Sequence, residues 1–166
     1  MATITLGGKE AHTFGDIPAV GSMAPDFKLV KNDMSRVTLG DFRGSKLVLN
    51  IFPSVDTGVC AASIRKFNEE AAKMDGVQVL NISKDLPFAQ ARFCGAEGID
   101  KAITLSDFAS GQFGKDYQLE ITDGAFANLL SRVVLVLDEE GLVLHAEQVP
   151  EIGQEPDYKS ALAALK

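Results

Sequence analysis

The sequence predicts an α/β fold in which a mixed β-sheet is flanked by helices and preceded by an N-terminal β-hairpin. Two nearly continuous apolar runs, Leu47–Phe52 and Val77–Ile82, have the composition of strands buried on both faces. A segment of helical character follows each run, and the chain closes with two β-rich runs and a helix. Strands that alternate with helices in this way form a sheet covered by helices.

The first forty residues predict short antiparallel strands. Thr3–Leu6 and Glu10–Phe14 alternate around Gly7-Gly8, which supplies the positive φ values of a tight hairpin turn. Phe27–Val30 is a candidate short strand, and Val37–Leu39 is expected to pair back onto it.

The middle of the chain alternates strands and helices. Pro53 ends the first buried strand, and the helical spacing of apolar residues then predicts a helix over Gly58–Met74, ended by Gly76. After the second strand, Asp85 is expected to cap a helix with Pro87 in its first turn, and that helix should stop at Gly95.

The last third of the chain is expected to complete the sheet. Four further elements are predicted: a strand at Ile103–Leu105, a short helix at Ala109–Tyr117, a hairpin of Val133–Asp138 with Leu142–Val149, and a helix at Pro156–Lys166. Glu120–Asn128 has no clear pattern. The element order is that of a thioredoxin-like core with additions at the front, although other three-layer folds share it.

Size and composition limit the class of protein. The 166 residues fit a single domain, residues 1–166, with enough apolar content for a core. A net charge of −7, no Trp and no basic cluster make nucleic acid an unsuitable partner. No apolar run approaches the ~20 residues of a membrane helix, and the N-terminus does not resemble a signal peptide. We therefore expect a cytoplasmic protein that does not bind membranes.

The chain contains two cysteines, Cys60 and Cys94, and two histidines, His12 and His145. Cysteines in such a chain are inert core residues, metal ligands or redox groups. The spacing offers no set of four zinc ligands, so no metal is expected, and the other two explanations remain. Both histidines are interpreted as surface or strand residues.

Cys60 is predicted in the first turn of the helix after Leu47–Phe52, where unpaired N–H groups and the helix dipole favour a thiolate. This position alone gives little reactivity. A thiol whose pKa falls from 8.5 to ~6 gains roughly 30-fold in thiolate at pH 7 but loses about 13-fold in nucleophilicity, a net two- to threefold. A fast reaction also requires fixed donors that stabilise the transition state.

Two residues are candidates for those donors. The Thr57 hydroxyl is one helical turn before Cys60 and could reach its sulfur, although a Thr at this place is more often only an N-cap. Arg132 opens the apolar run Val133–Leu137 and could bind an anion at that end of the sheet, although an Arg at a strand end is usually a solvated flank.

These residues match a known motif. Pro53-x-x-x-Thr57-x-x-Cys60 is similar to the active-site signature of the peroxiredoxins, and Arg132 lies where that family places its third polar residue. The segments 52–63 and 85–95, the N-terminal hairpin and the tail 155–158 resemble the bacterial thiol peroxidases, which are atypical 2-Cys peroxiredoxins with a thioredoxin-like fold. The resemblance covers essentially the whole chain.

The resemblance implies a thioredoxin-dependent peroxidase that acts on hydrogen peroxide and alkyl hydroperoxides. Cys60 would be oxidised to sulfenic acid, and Cys94 would resolve it as an intramolecular disulfide that thioredoxin reduces. Thr57 and Arg132 would hold the thiolate and polarise the peroxide, and Pro53 would shield the sulfur. The resemblance also implies a homodimer and no metal or haem cofactor.

Two expectations concern the catalytic cycle. A disulfide needs Cα atoms within about 7 Å, which intact packed helices rarely allow, so we expect one or both cysteine-bearing helix ends to unravel. Gly58 and Gly95 would ease this. The chain lacks the Gly-Gly-Leu-Gly segment of peroxide-sensitive relatives, which implies that Cys60 resists oxidation to sulfinic acid.

Two other functions remain alternatives. A dithiol carrier of the thioredoxin type would need C-x-x-C and a Pro before the late hairpin, where Ser131-Arg132 stands instead. A non-catalytic binding or chaperone protein would carry both cysteines as inert core residues. Phe52 is expected to pack in the core, while Lys84 and Arg92 are expected to be solvated.

Overall fold

The computed structural model describes residues 1–99 and 102–166. These residues form nine strands, four α-helices and a short 3-10 helix over Leu39–Phe42. The strands are β1 Thr3–Leu6, β2 Lys9–His12, β3 Lys28–Lys31, β4 Arg36–Thr38, β5 Lys46–Ile51, β6 Val77–Ser83, β7 Ile103–Ser106, β8 Val133–Leu137 and β9 Val143–Gln148. The α-helices are α1 Gly58–Glu70, α2 Pro87–Glu97, α3 Gln112–Asp116 and α4 Tyr158–Ala163.

A seven-stranded mixed sheet in the order β4-β3-β7-β6-β5-β8-β9 organises the molecule, and β1 and β2 form a separate hairpin. At its centre β5, β6 and β7 are parallel, with Ile51 paired to Ile82 at the carboxyl ends of β5 and β6. Because α1 follows β5 and α2 follows β6, the two cysteine-bearing helices both start from this one edge of the sheet.

Alternate residues of the central strands pack into two apolar clusters, one on each face of the sheet. Val48 and Val134 pack with Phe67 of α1 and Ala161 of α4 on one face. The opposite face carries the larger cluster, in which Leu49, Leu135 and neighbouring strand residues pack with Phe113 of α3. The period of two along β5 and β8 therefore places helices on both faces, as the sequence predicts.

The α/β fold, the N-terminal hairpin, both buried central strands and the late hairpin β8–β9 are confirmed. The hairpin is short: β2 ends at His12 rather than Phe14, and β3 is shifted by one residue to Lys28–Lys31. Helix α3 covers Gln112–Asp116 only. The unassigned region pairs through single bridges, Glu120 with Leu130 and Ile121 with Thr13.

Three helix ends differ from the sequence prediction. Helix α1 ends at Glu70 rather than Met74, because the chain turns through residues 71–76 so that the carbonyl of Gly76 can accept from Lys46 in β5. Helix α2 continues past Gly95 to Glu97 and is ended by Gly98, whose φ is 71°. Helix α4 covers Tyr158–Ala163, with Asp157 as its N-cap.

Two side chains have other environments than the sequence predicts. Asp85 is not the N-cap of α2; Leu86 holds that position without a side-chain cap, and the Asp85 carboxylate binds donors elsewhere. Lys84 is only partly exposed, and its Nζ lies 2.7 Å from a carboxylate oxygen of the buried Glu120. In both cases a distant partner outweighs the local preference of the residue.

The N-terminal hairpin is attached to the segment that follows β9, where Thr5 and Glu151 form an isolated bridge. The Thr5 N–H donates to the carbonyl of Pro150, and the Ile152 N–H donates to the carbonyl of Thr5. Ile4, Ala11, Ile121 and Ile152 form a small apolar cluster beneath it. No helix among the described residues is long and apolar enough to cross a bilayer.

Candidate active site

Cys60 is the third residue of α1, at the end of the loop that leaves β5. Its side chain is fully buried in an apolar cluster that contains Phe52, Ile64 and Cys94. The first turn of a helix presents unpaired N–H groups and the positive end of the dipole. The sulfur therefore lies in a water-poor environment whose fixed dipoles favour a negative charge.

Thr57 is the N-cap residue of α1, but its side chain makes no capping hydrogen bond. Its Oγ1 instead lies 2.6 Å from Cys60 Sγ and 3.2 Å from the carbonyl oxygen of Ser54. A hydroxyl has one proton, so it can donate to only one of these acceptors at a time. The structure thus directs the Thr57 hydroxyl to the sulfur rather than to the helix N–H groups.

Arg132 lies immediately before β8 and is only 2% exposed. Its Nη1 donates to Cys60 Sγ at 3.3 Å, and its Nε donates to the carbonyl oxygen of Ile152 at 2.8 Å. Within residues 1–99 and 102–166, no carboxylate forms an ion pair with it. A buried guanidinium requires a compensating charge, and a Cys60 thiolate is placed to supply it.

Pro53 occupies the buried turn between β5 and the loop that carries Thr57. The residue before it, Phe52, makes the last backbone bond of this edge, from its N–H to the carbonyl of Ile82. Pro has no N–H, so it cannot continue the ladder, and the chain leaves the sheet here. This fixes the point from which the loop turns toward Cys60.

Cys94 lies in α2, and its side chain is 4% exposed in the same apolar cluster as Cys60. Both residues are reduced in this structure. The carbonyl oxygen of Cys94 accepts from the N–H groups of Gly98 and Ile99, and these bonds close the last turn of α2. An ion pair between Arg65 of α1 and Glu97 of α2 connects the two helices beside this end.

Asp85 binds the loop before Cys60, although its sequence context predicts only a helix cap. Its carboxylate accepts from the Val55 N–H at 2.8 Å, the Ser54 hydroxyl at 2.8 Å and the Ser83 hydroxyl at 2.6 Å. Ser54 and Val55 lie in the loop between Pro53 and Thr57. The sequence does carry a signal for this contact. Two buried strands that are each followed by a helix are expected to pair in parallel, and the residues just beyond both strands then lie at the same edge of the sheet.

Tyr158 packs against the helix that carries Cys60. Its ring contacts the ring of Phe67 edge-on, with centroids 5.2 Å apart, and its hydroxyl donates to Glu155. Burial, assisted by Glu155, raises the pKa of Tyr158 well above its usual range. Tyr158 therefore stays protonated at any physiological pH and supports α1 without adding a charge beside Arg132.

The two histidines lie apart from the sulfur–arginine contact. His12 is in β2, between the carboxylates of Asp123 and Glu10, and His145 is in β9. Among the described residues, no group of three or more His, Cys, Asp or Glu side chains is placed to hold a metal ion. The side chains that contact the Cys60 sulfur are the Thr57 hydroxyl and the Arg132 guanidinium.

Comparison with known proteins identifies the family. The model of the Redoxin family matches residues 19–162. The chain is 53% identical over 165 residues to the thiol peroxidases of Mycobacterium tuberculosis and Mycobacterium bovis, with 99% of each chain covered.

Solved structures show the same architecture. A peroxiredoxin-like protein from Aquifex aeolicus superposes with a TM-score of 0.91 at 37% identity, covering 98% of this chain and 95% of its own. A thiol peroxidase from Chromobacterium violaceum superposes with a TM-score of 0.90 at 21% identity, covering 98% and 94%, a likeness of fold alone. The chain therefore belongs to the Redoxin family and is a peroxidase of its thiol peroxidase branch.

Proposed function

We propose that the protein reduces hydrogen peroxide and alkyl hydroperoxides with Cys60 as the attacking thiolate, Cys94 as the resolving thiol of the same chain, and thioredoxin as the reductant. The observation that carries this proposal is the buried Arg132, whose guanidinium lies 3.3 Å from Cys60 Sγ. A buried positive charge needs a compensating anion to be stable. The neutral thiol of an inert core cysteine would not supply one, whereas a thiolate would.

In the first step the thiolate of Cys60 attacks the terminal oxygen of the peroxide. The S–O bond forms as the O–O bond breaks, sulfur is oxidised to sulfenic acid, and the departing alkoxide or hydroxide takes a proton to leave as alcohol or water. Negative charge moves from sulfur to the leaving oxygen, and Arg132 and Thr57 already lie at the sulfur with donors that can follow that charge. Pro53 keeps the site closed to water.

In the second step the thiolate of Cys94 attacks the sulfenic sulfur of Cys60. An S–S bond forms, the S–O bond breaks, and the departing hydroxide takes up the proton that the Cys94 thiol lost, so that the oxygen leaves as water. Both cysteines lie in one apolar cluster but within intact helical turns, so the bond requires local unwinding. Hydrogen bonds hold the turn around Cys94 at the end of α2 closed, so we expect them to break before Cys94 can reach Cys60.

In the third step the dithiol of thioredoxin reduces the disulfide and is itself oxidised to a disulfide. Such a reductant works in a compartment that keeps thiols reduced, which supports a cytoplasmic location. We also propose a homodimer, supported by the exposed apolar side chains Leu86 and Phe88 at the start of α2. Sedimentation of Phe88→Asp beside Phe14→Asp, an exposed apolar control two residues after the hairpin, tests the dimer.

The decisive experiment measures the mass of the protein after one equivalent of peroxide. We expect an intact monomer lighter by two hydrogens, with Cys60 and Cys94 joined in one peptide pair after digestion. In a coupled assay with thioredoxin and its reductase, wild type should turn over, and Cys60→Ser should consume no peroxide.

Cys94→Ser separates the two cysteine roles. This variant should consume one equivalent of peroxide and then stall with Cys60 as a sulfenic acid, which dimedone captures. Normal turnover of Cys94→Ser with thioredoxin would overturn the resolving role. Peroxide consumption by Cys60→Ser at the wild-type rate would overturn the proposal as a whole.

A further inference from the structure

We propose that Asp85 is a positioning residue for peroxide reduction, which holds the loop 54–57 so that the Thr57 hydroxyl points at the Cys60 sulfur. The inference rests on the proposed function of Cys60 and adds a residue from the other cysteine-bearing segment. Asp85 does not touch the sulfur; its effect on the reaction passes through the loop that it binds.

The carboxylate of Asp85 is bound on both oxygens. Oδ1 accepts from the Ser54 hydroxyl, and Oδ2 accepts from the Val55 N–H and from the Ser83 hydroxyl. Hydrogen bonds to an ionised acceptor are about twice as strong as neutral ones. An ionised carboxylate can accept every one of these bonds at once, whereas an amide in its place would turn an N–H₂ donor toward one of the donors.

The bound loop then orients Thr57 in two ways. The Ser54 hydroxyl that donates to Asp85 also accepts the N–H of Asp56, at 3.1 Å. The carbonyl of Ser54 accepts the N–H of Thr57 at 3.3 Å and lies 3.2 Å from its hydroxyl. The turn from Ser54 to Thr57 is therefore fixed at its first residue by Asp85 and at its last residue by the start of α1.

Asp85 is in turn held by the sheet and by α2. The Ser83 hydroxyl that donates to its carboxylate accepts from the side-chain amide of Gln90, a buried residue of α2 that also donates to the carbonyl of Leu105 in β7. The Ser106 hydroxyl donates to the backbone carbonyl of Asp85. One set of hydrogen bonds thus connects the start of α2 to the loop that precedes Cys60.

This connection predicts which part of α2 stays in place during the cycle. Gln90 is bound to β6 through the Ser83 hydroxyl and to β7 through the carbonyl of Leu105, and Cys94 lies one turn later in α2. The first turn of α2 can therefore keep Asp85 in position while the turns around Cys94 open. The loop that orients Thr57 therefore keeps its conformation for the reaction with the next peroxide molecule.

The test uses Asp85→Ala and the conservative Asp85→Asn, each combined with Cys94→Ser so that only Cys60 reacts. We expect the second-order rate constant with hydrogen peroxide to fall by about 10- to 100-fold in Asp85→Ala, since a displacement near 1 Å produces losses of that order. Asp85→Asn should lie between it and the parent protein. Alkylation of Cys60 by iodoacetamide needs the thiolate but no positioned peroxide, so it should change by less than about threefold.

A matched control is Asp138→Ala. Asp138 also binds backbone N–H groups with its carboxylate, those of Glu140 and Leu142, but it lies in the turn between β8 and β9. Its loss should leave both rate constants within twofold of the parent. Urea unfolding of all variants ensures that the rates are measured on folded protein.

Three results would overturn the inference. One is a wild-type peroxide rate in Asp85→Ala, and another is an equal loss in Asp138→Ala. The third is an equal fall of the alkylation and peroxide rates, which would mean that Asp85 acts on the thiolate itself. A parent Cys94→Ser protein that fails to consume one equivalent of peroxide would instead remove the proposed function and this inference with it.

Discussion

Arg132→Lys is the most informative substitution at the site. It keeps the positive charge but removes the forked guanidinium group, whose nitrogens can donate to two acceptors at once. The guanidinium uses two nitrogens at once, Nη1 on Cys60 Sγ and Nε on the carbonyl of Ile152. The single ammonium of Lys cannot occupy both positions. The substitution must therefore break either the bond to sulfur or the bond to the backbone.

The size of the effect follows from these two contacts. A hydrogen bond to a charged group contributes about 1.5–3 kcal/mol. If the bond to sulfur is lost, the rate constant with peroxide should fall by roughly 10- to 150-fold, since ~1.4 kcal/mol corresponds to a factor of ten. If instead the Ile152 carbonyl loses its donor, burial of that unpaired acceptor should lower the free energy of unfolding by about 1–3 kcal/mol.

The assay measures both quantities on the same protein. Stopped-flow oxidation of Cys60 by hydrogen peroxide gives the rate constant, and urea unfolding gives the stability. Arg36→Lys is the control, because Arg36 also donates to a backbone carbonyl but is exposed on β4. Wild-type values for both quantities in Arg132→Lys would refute the reasoning, since they would mean that the fork is not used.

Three further predictions concern the Thr57 hydroxyl, the end of α2 and the ion pair of His12. Thr57→Val should slow peroxide reduction about tenfold or more and leave urea unfolding almost unchanged, because the hydroxyl caps no helix N–H; an unaltered rate would contradict its role. Hydrogen exchange at residues 94–99 should be faster in the oxidised than in the reduced protein, and equal protection would argue against unwinding of α2. A hydrogen bond to Asp123 raises the pKa of His12, so the stability it adds is present at low pH and lost as pH rises through that pKa. The gap in unfolding free energy between wild type and His12→Gln should therefore be larger at pH 6 than at pH 9, and a constant gap would exclude the ion pair.

The elements around Cys60 could be predicted from sequence because their signals are local. The apolar run of β5, the Pro that ends it and the helical spacing after Gly58 all lie within one segment. The boundaries at the far end of α1 were not predictable in the same way. The helix stops at Glu70 because the following turn places the carbonyl of Gly76 where it accepts a hydrogen bond from the N–H of Lys46. No local sequence pattern encodes that contact.

Side-chain assignments failed where a partner distant in sequence outweighed a local preference. Asp85 has the sequence context of a helix cap, yet its donors are Ser54 and Val55 of another loop. Lys84 has the pattern of a solvated side chain, yet it pairs with the buried Glu120. A Thr at the position of Thr57 is more often only an N-cap, yet the folded backbone directs its hydroxyl to the sulfur.

The attachment of the N-terminal hairpin has a practical consequence for protein engineering. The carbonyl of Ile152 holds Nε of Arg132, while the N–H of the same residue is bound to Thr5 of β1. The hairpin thus holds the residue whose carbonyl accepts the hydrogen bond from Arg132. Fusion partners are therefore better joined at the C-terminus, and trimming of the first strand should reduce turnover before it loosens the central sheet.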